Sequence, residues 1–305
     1  MGSNPVHKTE IVDWLKGLQD NICEHLEKLD NSSRFHEDLW QREGGGGGRT
    51  RIIRGKHIEK GGVNFSQVHG KMPEVMARKL DIPSGDYLAT GVSIVLHPKN
   101  PWVPIIHMNV RYFEINESTW WFGGGIDVTP HYVNKDDAIF FHNHLKKTCD
   151  TLNHDTYSEY KKWADDYFFI PHRNETRGIG GIFFDRLGDR TIADKEKCWG
   201  FLKKVGSSFV PIYSELFNNN FRKEYNDHNE KWQRVRRGRY VEFNLVYDRG
   251  TKFGLETSGR IESILMSMPP EAHWEYDFQT TPESLEAQTQ KMLRKGVDWI
   301  NYTEE

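Results

Sequence analysis

The chain has 305 residues, of which 36% are hydrophobic and 13% aromatic, a composition sufficient for a buried core. Its net charge of −3 gives no general reason to expect binding to nucleic acid or to an anionic membrane. The three cysteines lie far apart, which argues against a disulfide framework, a structural zinc site and an iron–sulfur cluster. The sequence shows no signal-peptide or transit-peptide pattern and no apolar window of about 18 residues that would span a membrane. We therefore expect a soluble, cytoplasmic, globular protein.

The first half of the chain reads as one helix followed by several strands. Residues 11–29 place apolar side chains at helical spacing. The glycine run 44–48 lacks the lysine and the preceding strand of a P-loop, so we interpret it as a mobile flap or an anion-binding nest of backbone N–H groups. The strand-like segments are 62–69, 87–97, 102–114 and 119–128.

The second half of the chain has mainly helical patterns. The predicted segments are a helical block at 135–167, a strand at 178–185, a helix at 194–219, a strand at 239–247 and a closing helix at 282–301. Pro211 is expected to kink or divide its helix. Thr281 is the expected N-cap of the closing helix, with Pro282 at its first position.

Strands come in runs and helices in separate runs, without the regular alternation of βαβ units. This order favours the α+β class, here a large antiparallel β-sheet flanked by helices on both sides. No repeat, long linker or shift in composition marks a boundary. We therefore expect a single domain over 1–305, with residues 1–10 as a flexible N-terminus.

The segment 102–114 (WVPIIHMNVRYFE) separates its chemistry by face, because side chains alternate along a strand. His107, Asn109 and Arg111 share one face, while Met108 and its apolar neighbours share the other, which reads as a core face. We predict that the polar face lines a concave site for an anionic ligand. The alternative is a core histidine, which requires internal partners for all three polar groups.

The two neighbouring strand-like segments add candidate residues. Ser93 and His97 share a face that approaches His107 if the two strands pair, although His97 also suits an ordinary strand end before a proline. Three glycines in 120–130 (WWFGGGIDVTP) allow a backbone or a flat ligand to come close, and the alternative is a bulge or tight bend. Asp127, just beyond them, is a candidate general base or hydrogen-bond acceptor.

Two basic segments have simple structural interpretations. The segment 171–181 combines His172, Arg173 and Arg177 with three glycines, which makes it a candidate binding segment. The structural alternative is an exposed basic loop that ends in a strand. The run RVRRGR at 234–239 is interpreted as a solvated helix end rather than as a nucleic-acid site.

The segment 247–260 (YDRGTKFGLETSGR) is more informative. It places Asp248, Arg249 and Arg260 among turn-forming glycines after a predicted strand, where binding residues are common. By contrast, the histidines at 97, 107, 142 and 172 have spacings that match no compact metal-ligand motif.

Together these segments resemble the oxygen-dependent coproporphyrinogen III oxidases of haem biosynthesis. The motifs that carry the resemblance are GGGGRTR, GVSIVLHPKNP with IHMNVRYFE, WWFGGGIDVTP, YKKWADDYFFIPHRNETRGIGGIFFD, RYVEFNLVYDRGTKFGL and GRIESILMSMPP. They extend from about Trp14 to the C-terminus. The oxygen-independent enzymes use closely spaced cysteines, which this chain lacks. The resemblance implies conversion of the ring A and ring B propionates of coproporphyrinogen III to vinyl groups, with O2 as co-substrate, no organic cofactor and a homodimeric protein.

The resemblance also implies roles for individual residues. His107 matches the proton donor. The matched substrate-binding positions are Ser93, Asn109, Val110, Arg111, Ser258, Gly259 and Arg260, with Ser258 a mild departure from the family pattern. His97, His107, His142 and His172 match a divalent-metal site of some bacterial members, while other members are described as metal-free. The segment 240–276 matches one associated with dimerisation.

Chemistry supports this interpretation. Arg111, Arg260 and Arg249 supply forked donors for the four propionates of the substrate. We expect Asp248 or Asp127 to assist deprotonation of a pyrrole N–H, after which O2 adds to the ring and the resulting peroxide removes hydrogen from the propionate as CO2 departs. The reduced macrocycle is then the electron source. Two alternatives are a non-catalytic porphyrin carrier and a metal-dependent hydrolase that uses the four histidines.

Overall fold

The computed structural model describes residues 6–116, 119–188, 194–256 and 259–303. Its main feature is a seven-stranded antiparallel sheet with the order β1-β2-β3-β4-β5-β6-β9. These strands are β1 (His36–Gln41), β2 (Gly46–Ile53), β3 (Ile58–Lys71), β4 (Asp86–Pro98), β5 (Ile105–Ile115), β6 (Thr119–Thr129) and β9 (Gly181–Leu187). Strands β7 (Phe169–Ile170) and β8 (Glu175–Thr176) form a separate short pair. The predicted antiparallel α+β class is confirmed.

Helices cover both faces of the sheet. They are α1 (Lys8–Asp30), α2 (Glu74–Leu80), α3 (Lys135–Cys149), α4 (Thr156–Tyr167), α5 (Lys195–Asn220), α6 (Asp227–Val246), α7 (Arg249–Glu256), α8 (Ile261–Leu265) and α9 (Leu285–Met292). Pro211 lies inside α5, which continues through it and is not divided. No helix within the described ranges is both long enough and apolar enough to cross a membrane.

Strand β5 has the predicted division of faces. Ile106, Met108, Val110 and Tyr112 are almost completely buried in the main hydrophobic core. That core also contains apolar residues of α1, α3 and α5, which cover this face of the sheet. His107, Asn109 and Arg111 alternate with the core residues and are partly exposed on the opposite face. The core face is therefore confirmed, and the polar face is free to line a cavity.

The predicted strand at 239–247 is wrong, because this segment is the last part of α6. Burial along α6 recurs at Trp232, Arg236, Tyr240 and Phe243, which is helical spacing. Asn226 begins the helix with a capping box, since its side chain accepts from the backbone of Asn229. The alternation over nine residues was too short to reveal this longer period.

The glycine run and the C-terminal segment also differ from expectation. Residues 46–48 belong to β2, which pairs with strands on both sides, so this part of the run is a strand and not a loop. A Cβ atom added at Gly48 would lie 2.2 Å from the ring of Trp40, which explains the need for glycine there. The closing helix is shorter than predicted, and Ser284, rather than Thr281, caps α9 by accepting from the backbone N–H of Ala287.

Candidate active site

A cavity of about 650 Å3 lies on the polar face of the sheet. Strands β3 to β6 and β9 form one side, and α4, α6, α7 and α8 form the other. Its polar lining includes Asn64, Ser93, His107, Asn109, Arg111, Asp185, Asn244, Asp248 and Arg249. This volume is within the usual range for small-molecule sites. The structure thus brings together six of the predicted polar site residues, from β4, β5 and the α6–α7 junction.

His107 is held by Asp127 from the neighbouring strand. The two residues are register partners, and Nδ1 of His107 lies 2.7 Å from Oδ1 of Asp127. His107 lines the cavity, whereas Asp127 is buried behind it and does not line the cavity. The bond uses Nδ1, so Nε2 is the ring nitrogen that remains for a ligand. The structure therefore favours a positioning role for Asp127 over the predicted role of general base.

Arg177 completes this arrangement from inside the protein. Its Nη2 donates to Oδ2 of Asp127 at 2.5 Å, and its Nη1 donates to Asn244 at 3.0 Å. The guanidinium carbon lies 4.3 Å from the ring centroid of Phe168 and 4.8 Å from that of Tyr240. Burial opposes ionisation of Asp127, but Arg177 and His107 hold the pKa of its carboxyl below the usual value. Arg177 is thus buried, and the exposed-loop interpretation is wrong for this residue.

Arg111 is oriented by two side chains. Its Nη1 donates to Oδ1 of Asn109 at 2.6 Å, and its Nη2 donates to Oδ1 of Asp185 at 3.0 Å. A Cβ atom at Gly123 would lie 2.7 Å from Arg111 Nε and 2.7 Å from Asp185 Oδ1. This glycine of β6 therefore makes room for the ion pair. At Gly124 and Gly125 the closest neighbours are the backbone carbonyls of Asn109 and Ile182, so the predicted close approach of another backbone is confirmed there.

Asp248 lies at the cavity wall between α6 and α7. Its Oδ1 accepts from the Tyr167 hydroxyl at 2.8 Å, and its Oδ2 accepts from the backbone N–H of Thr251 at 2.7 Å. A carboxylate has further acceptor sites beyond these two bonds. The guanidinium of Arg249 lies 5.7 Å from the Tyr167 ring. A carboxylate and a cation therefore face the same cavity from one helix junction.

The second predicted substrate-binding tripeptide lies beside this wall. Arg260 is not among the cavity-lining residues, but its Nη1 donates to Ser263 Oγ at 3.0 Å, and Ser263 lines the cavity. Its Nη2 is bound to the carboxylate of Asp38 on β1. Gly259 is held by a backbone bond to Gly254 and does not line the cavity. Ser258 lies outside the described residues.

Ser93 on β4 and Val110 on β5 differ in what they can contribute to ligand binding. Ser93 lines the cavity and is the register partner of Asn109. Val110 has its side chain in the core on the other face of β5, so only its backbone can meet a ligand. A side-chain contact from Val110 is therefore excluded by the alternation of the strand.

The four predicted metal ligands occupy different environments. His97 is buried and bonded through Nε2 to the carbonyl of Ser267. His142 is buried with both ring nitrogens engaged, by the Tyr157 hydroxyl and the carbonyl of Ile179. His172 is bonded to Tyr247 and Glu242 at the surface. Within the described ranges, no group of three or more His, Cys, Asp or Glu side chains is arranged to hold a metal. These residues do not fit a shared metal site.

The basic run 234–239 also has a different role from the predicted solvated helix end. Arg236 is buried and donates to Glu175 at 2.8 Å, and buried Arg237 donates to Glu59 at 2.5 Å. Helix α6 therefore holds these arginines inside the protein.

Sequence reasoning missed several polar residues that line the cavity, among them Asp185 and Tyr167. Asp185 lies two residues beyond Phe183 on a predicted strand, and this same-face spacing was the available signal. No signal pointed to Tyr167, which reaches Asp248 from a position 81 residues away in sequence.

Comparisons with known proteins agree on one family. The family model for coproporphyrinogen III oxidase matches residues 10–299. An oxygen-dependent coproporphyrinogen-III oxidase of Prochlorococcus marinus is 43% identical over 318 aligned positions, covering 96% of this chain and 92% of the relative. The chain therefore belongs to the coproporphyrinogen III oxidase family.

Proposed function

We propose that the chain catalyses the O2-dependent oxidative decarboxylation of the ring A and ring B propionates of coproporphyrinogen III, giving protoporphyrinogen IX in haem biosynthesis. The observation that carries this proposal is the family match over residues 10–299. The chemistry of the cavity supports it, because Arg111 and Arg249 suit the carboxylates of a tetra-anion while Asp248 suits a pyrrole N–H.

Each turnover removes CO2 and two hydrogens from one propionic acid group. O2 takes up the two hydrogens and leaves as hydrogen peroxide, so the step balances without an organic cofactor. Asp248 accepts the pyrrole proton, because it is the candidate base that lines the cavity. His107 offers Nε2 as the ring atom that exchanges a proton with the substrate, and Asp127 fixes its ring through Nδ1.

We also propose a cytoplasmic homodimer whose interface includes residues 240–276. Among the described residues, large exposed apolar side chains concentrate in this segment, notably Ile261, Trp274 and Tyr276. Concentrated apolar exposure is typical of an interaction surface. The oligomeric state is tested by sedimentation of the wild type and a Trp274→Glu variant, and a monomeric wild type would contradict the proposal.

The activity is tested with anaerobically prepared coproporphyrinogen III and purified, chelator-treated protein. O2 is then admitted and the porphyrins are resolved by chromatography. Protoporphyrin and CO2 that appear only with O2 would support the proposed reaction without a tightly required metal. Activity lost with chelator and restored by Mn2+ would instead support a role for the histidines in metal binding.

The two alternatives predict different results in the same assay. A porphyrin carrier would bind coproporphyrin tightly but form no product, and it would tolerate loss of His107. A metal-dependent hydrolase would be inactive on this substrate and would lose its own activity on chelation.

A further inference from the structure

The Arg111–Asp185 pair places a carboxylate of the protein on a guanidinium that faces the cavity. Nη2 of Arg111 lies 3.0 Å from Oδ1 of Asp185, and both residues line the cavity. Their side chains are 38% and 40% exposed, so a ligand can reach both partners. Gly123 leaves the space that the pair occupies. Asp185 therefore holds the position that a ligand carboxylate would take.

We propose that Asp185 is a specificity-determining residue that pairs with Arg111 when no ligand carboxylate is present and is displaced when one arrives. This inference rests on the proposed function. Asn109 binds Nη1 of Arg111 at 2.6 Å and keeps the guanidinium in place while its carboxylate partner changes. Since the remaining edge of the guanidinium suits one carboxylate, Asp185 and a propionate compete for it.

The competition between Asp185 and a propionate matters because the proposed reaction changes the number of carboxylates on the ligand. The ligand has four carboxylates at the start, three after the first decarboxylation and two at the end. If a vinyl group of the product faces Arg111, the ligand covers the guanidinium without supplying an anion, and this loss of solvation weakens binding. Asp185 then restores the pair. It weakens binding of the tetracarboxylate and supports binding of ligands with fewer carboxylates, so that one cavity accepts every stage of the reaction.

The test measures binding of two unreactive, oxidised porphyrins, coproporphyrin III with four carboxylates and protoporphyrin IX with two. Their dissociation constants are measured by quenching of protein fluorescence for the wild type and Asp185→Asn. We expect coproporphyrin III to bind about tenfold more tightly to the variant, with protoporphyrin IX unchanged or weaker. In an Arg111→Gln background, Asp185→Asn is expected to have no effect on coproporphyrin binding.

Two controls separate this effect from a change in folding or net charge. Asp166→Asn removes the same charge from a surface residue that pairs with Lys162 and Lys295 and lies outside the cavity lining. It should leave both dissociation constants unchanged, and Asp185→Ser should repeat the Asn result. An unchanged affinity ratio, or weaker coproporphyrin binding, in folded Asp185 variants would overturn this inference alone. Absence of O2-dependent product from coproporphyrinogen III in the wild type would instead overturn the proposed function.

Discussion

His107 and Asp127 are direct register partners across β5 and β6, and their side chains meet at 2.7 Å on the cavity face. The contact therefore follows from strand pairing alone, without any loop. Arg177 holds the other oxygen of Asp127. The result is a row of three groups in which His107 and Arg177 border the cavity and Asp127, between them, does not.

Substitutions in this row should separate activity from stability. His107→Gln should lower kcat by about 100-fold or more, because it removes the imidazole that exchanges a proton with the substrate, with little loss of stability. Asp127→Asn should also lower kcat, but it leaves Arg177 buried without an anion and should cost about 3 to 5 kcal/mol in the free energy of unfolding. Steady-state kinetics and urea unfolding check both. Equal stability of the two variants would contradict this account.

Asp248→Asn should reduce turnover far more than binding. Asn can still cap α7 through Thr251, so the fold is retained, but it cannot accept the pyrrole proton. We expect kcat to fall by about 100-fold or more and the coproporphyrin III dissociation constant to change by less than about threefold. Tyr167→Phe, which removes one hydrogen bond to Asp248, is the matched milder variant. If only binding weakened, Asp248 would be a positioning residue.

The family resemblance implies a substrate-binding role for Arg260, whereas the structure pairs it with Asp38 and Ser263 beside the cavity lining. If Arg260 leaves Asp38 for a propionate of the substrate, Arg260→Ala should raise KM by about 10- to 100-fold. Arg34→Ala is the control, because Arg34 is an exposed arginine whose ion pair with Glu27 lies outside the cavity lining. An unchanged KM for Arg260→Ala would remove Arg260 from the substrate site.

The free energy of unfolding should decrease as the pH falls from 7 to 5. Burial lowers the pKa of His131 to about 3 and that of His142 to about 3, and it also lowers the pKa of His97. The unfolded chain binds protons at these histidines below about pH 6.5, while the folded chain does not. Each histidine therefore adds a slope of up to about 1.4 kcal/mol per pH unit.

Urea unfolding at pH 7, 6 and 5 measures this slope. His142→Gln should flatten the dependence, because it removes one of the three groups, whereas substitution of the exposed His154 should not. A pH-independent free energy of unfolding over this range would contradict the assignment of these histidines as neutral in the folded protein.

Local sequence patterns predicted the parts of the site that depend on strand alternation. The shared face of His107, Asn109 and Arg111 followed from a period of two, and the structure has it. The same reasoning failed at 239–247, where a short alternation lies within a long helix. The helical period was visible only over the full length of α6.

Tertiary contacts explain the other errors. The sequence made Asp127 a candidate general base, but in the structure it is buried and paired with Arg177, which lies 50 residues later. Likewise, the sequence predicted that Arg236 and Arg237 are solvated. In the structure they are buried, because Glu175 and Glu59 from distant segments pair with them. No local pattern contains such pairings, which depend on how the elements pack.

The alternation along β5 links correct assembly to chemistry. A slip of one residue in its pairing would turn His107 and Arg111 into the core and Met108 and Val110 into the cavity. Such a chain would bury a cation without an anion and would have no site at all. Misfolded forms with this error should therefore be catalytically inactive as well as unstable. The specific activity of a preparation then reports the fraction of molecules in which β5 has the correct register.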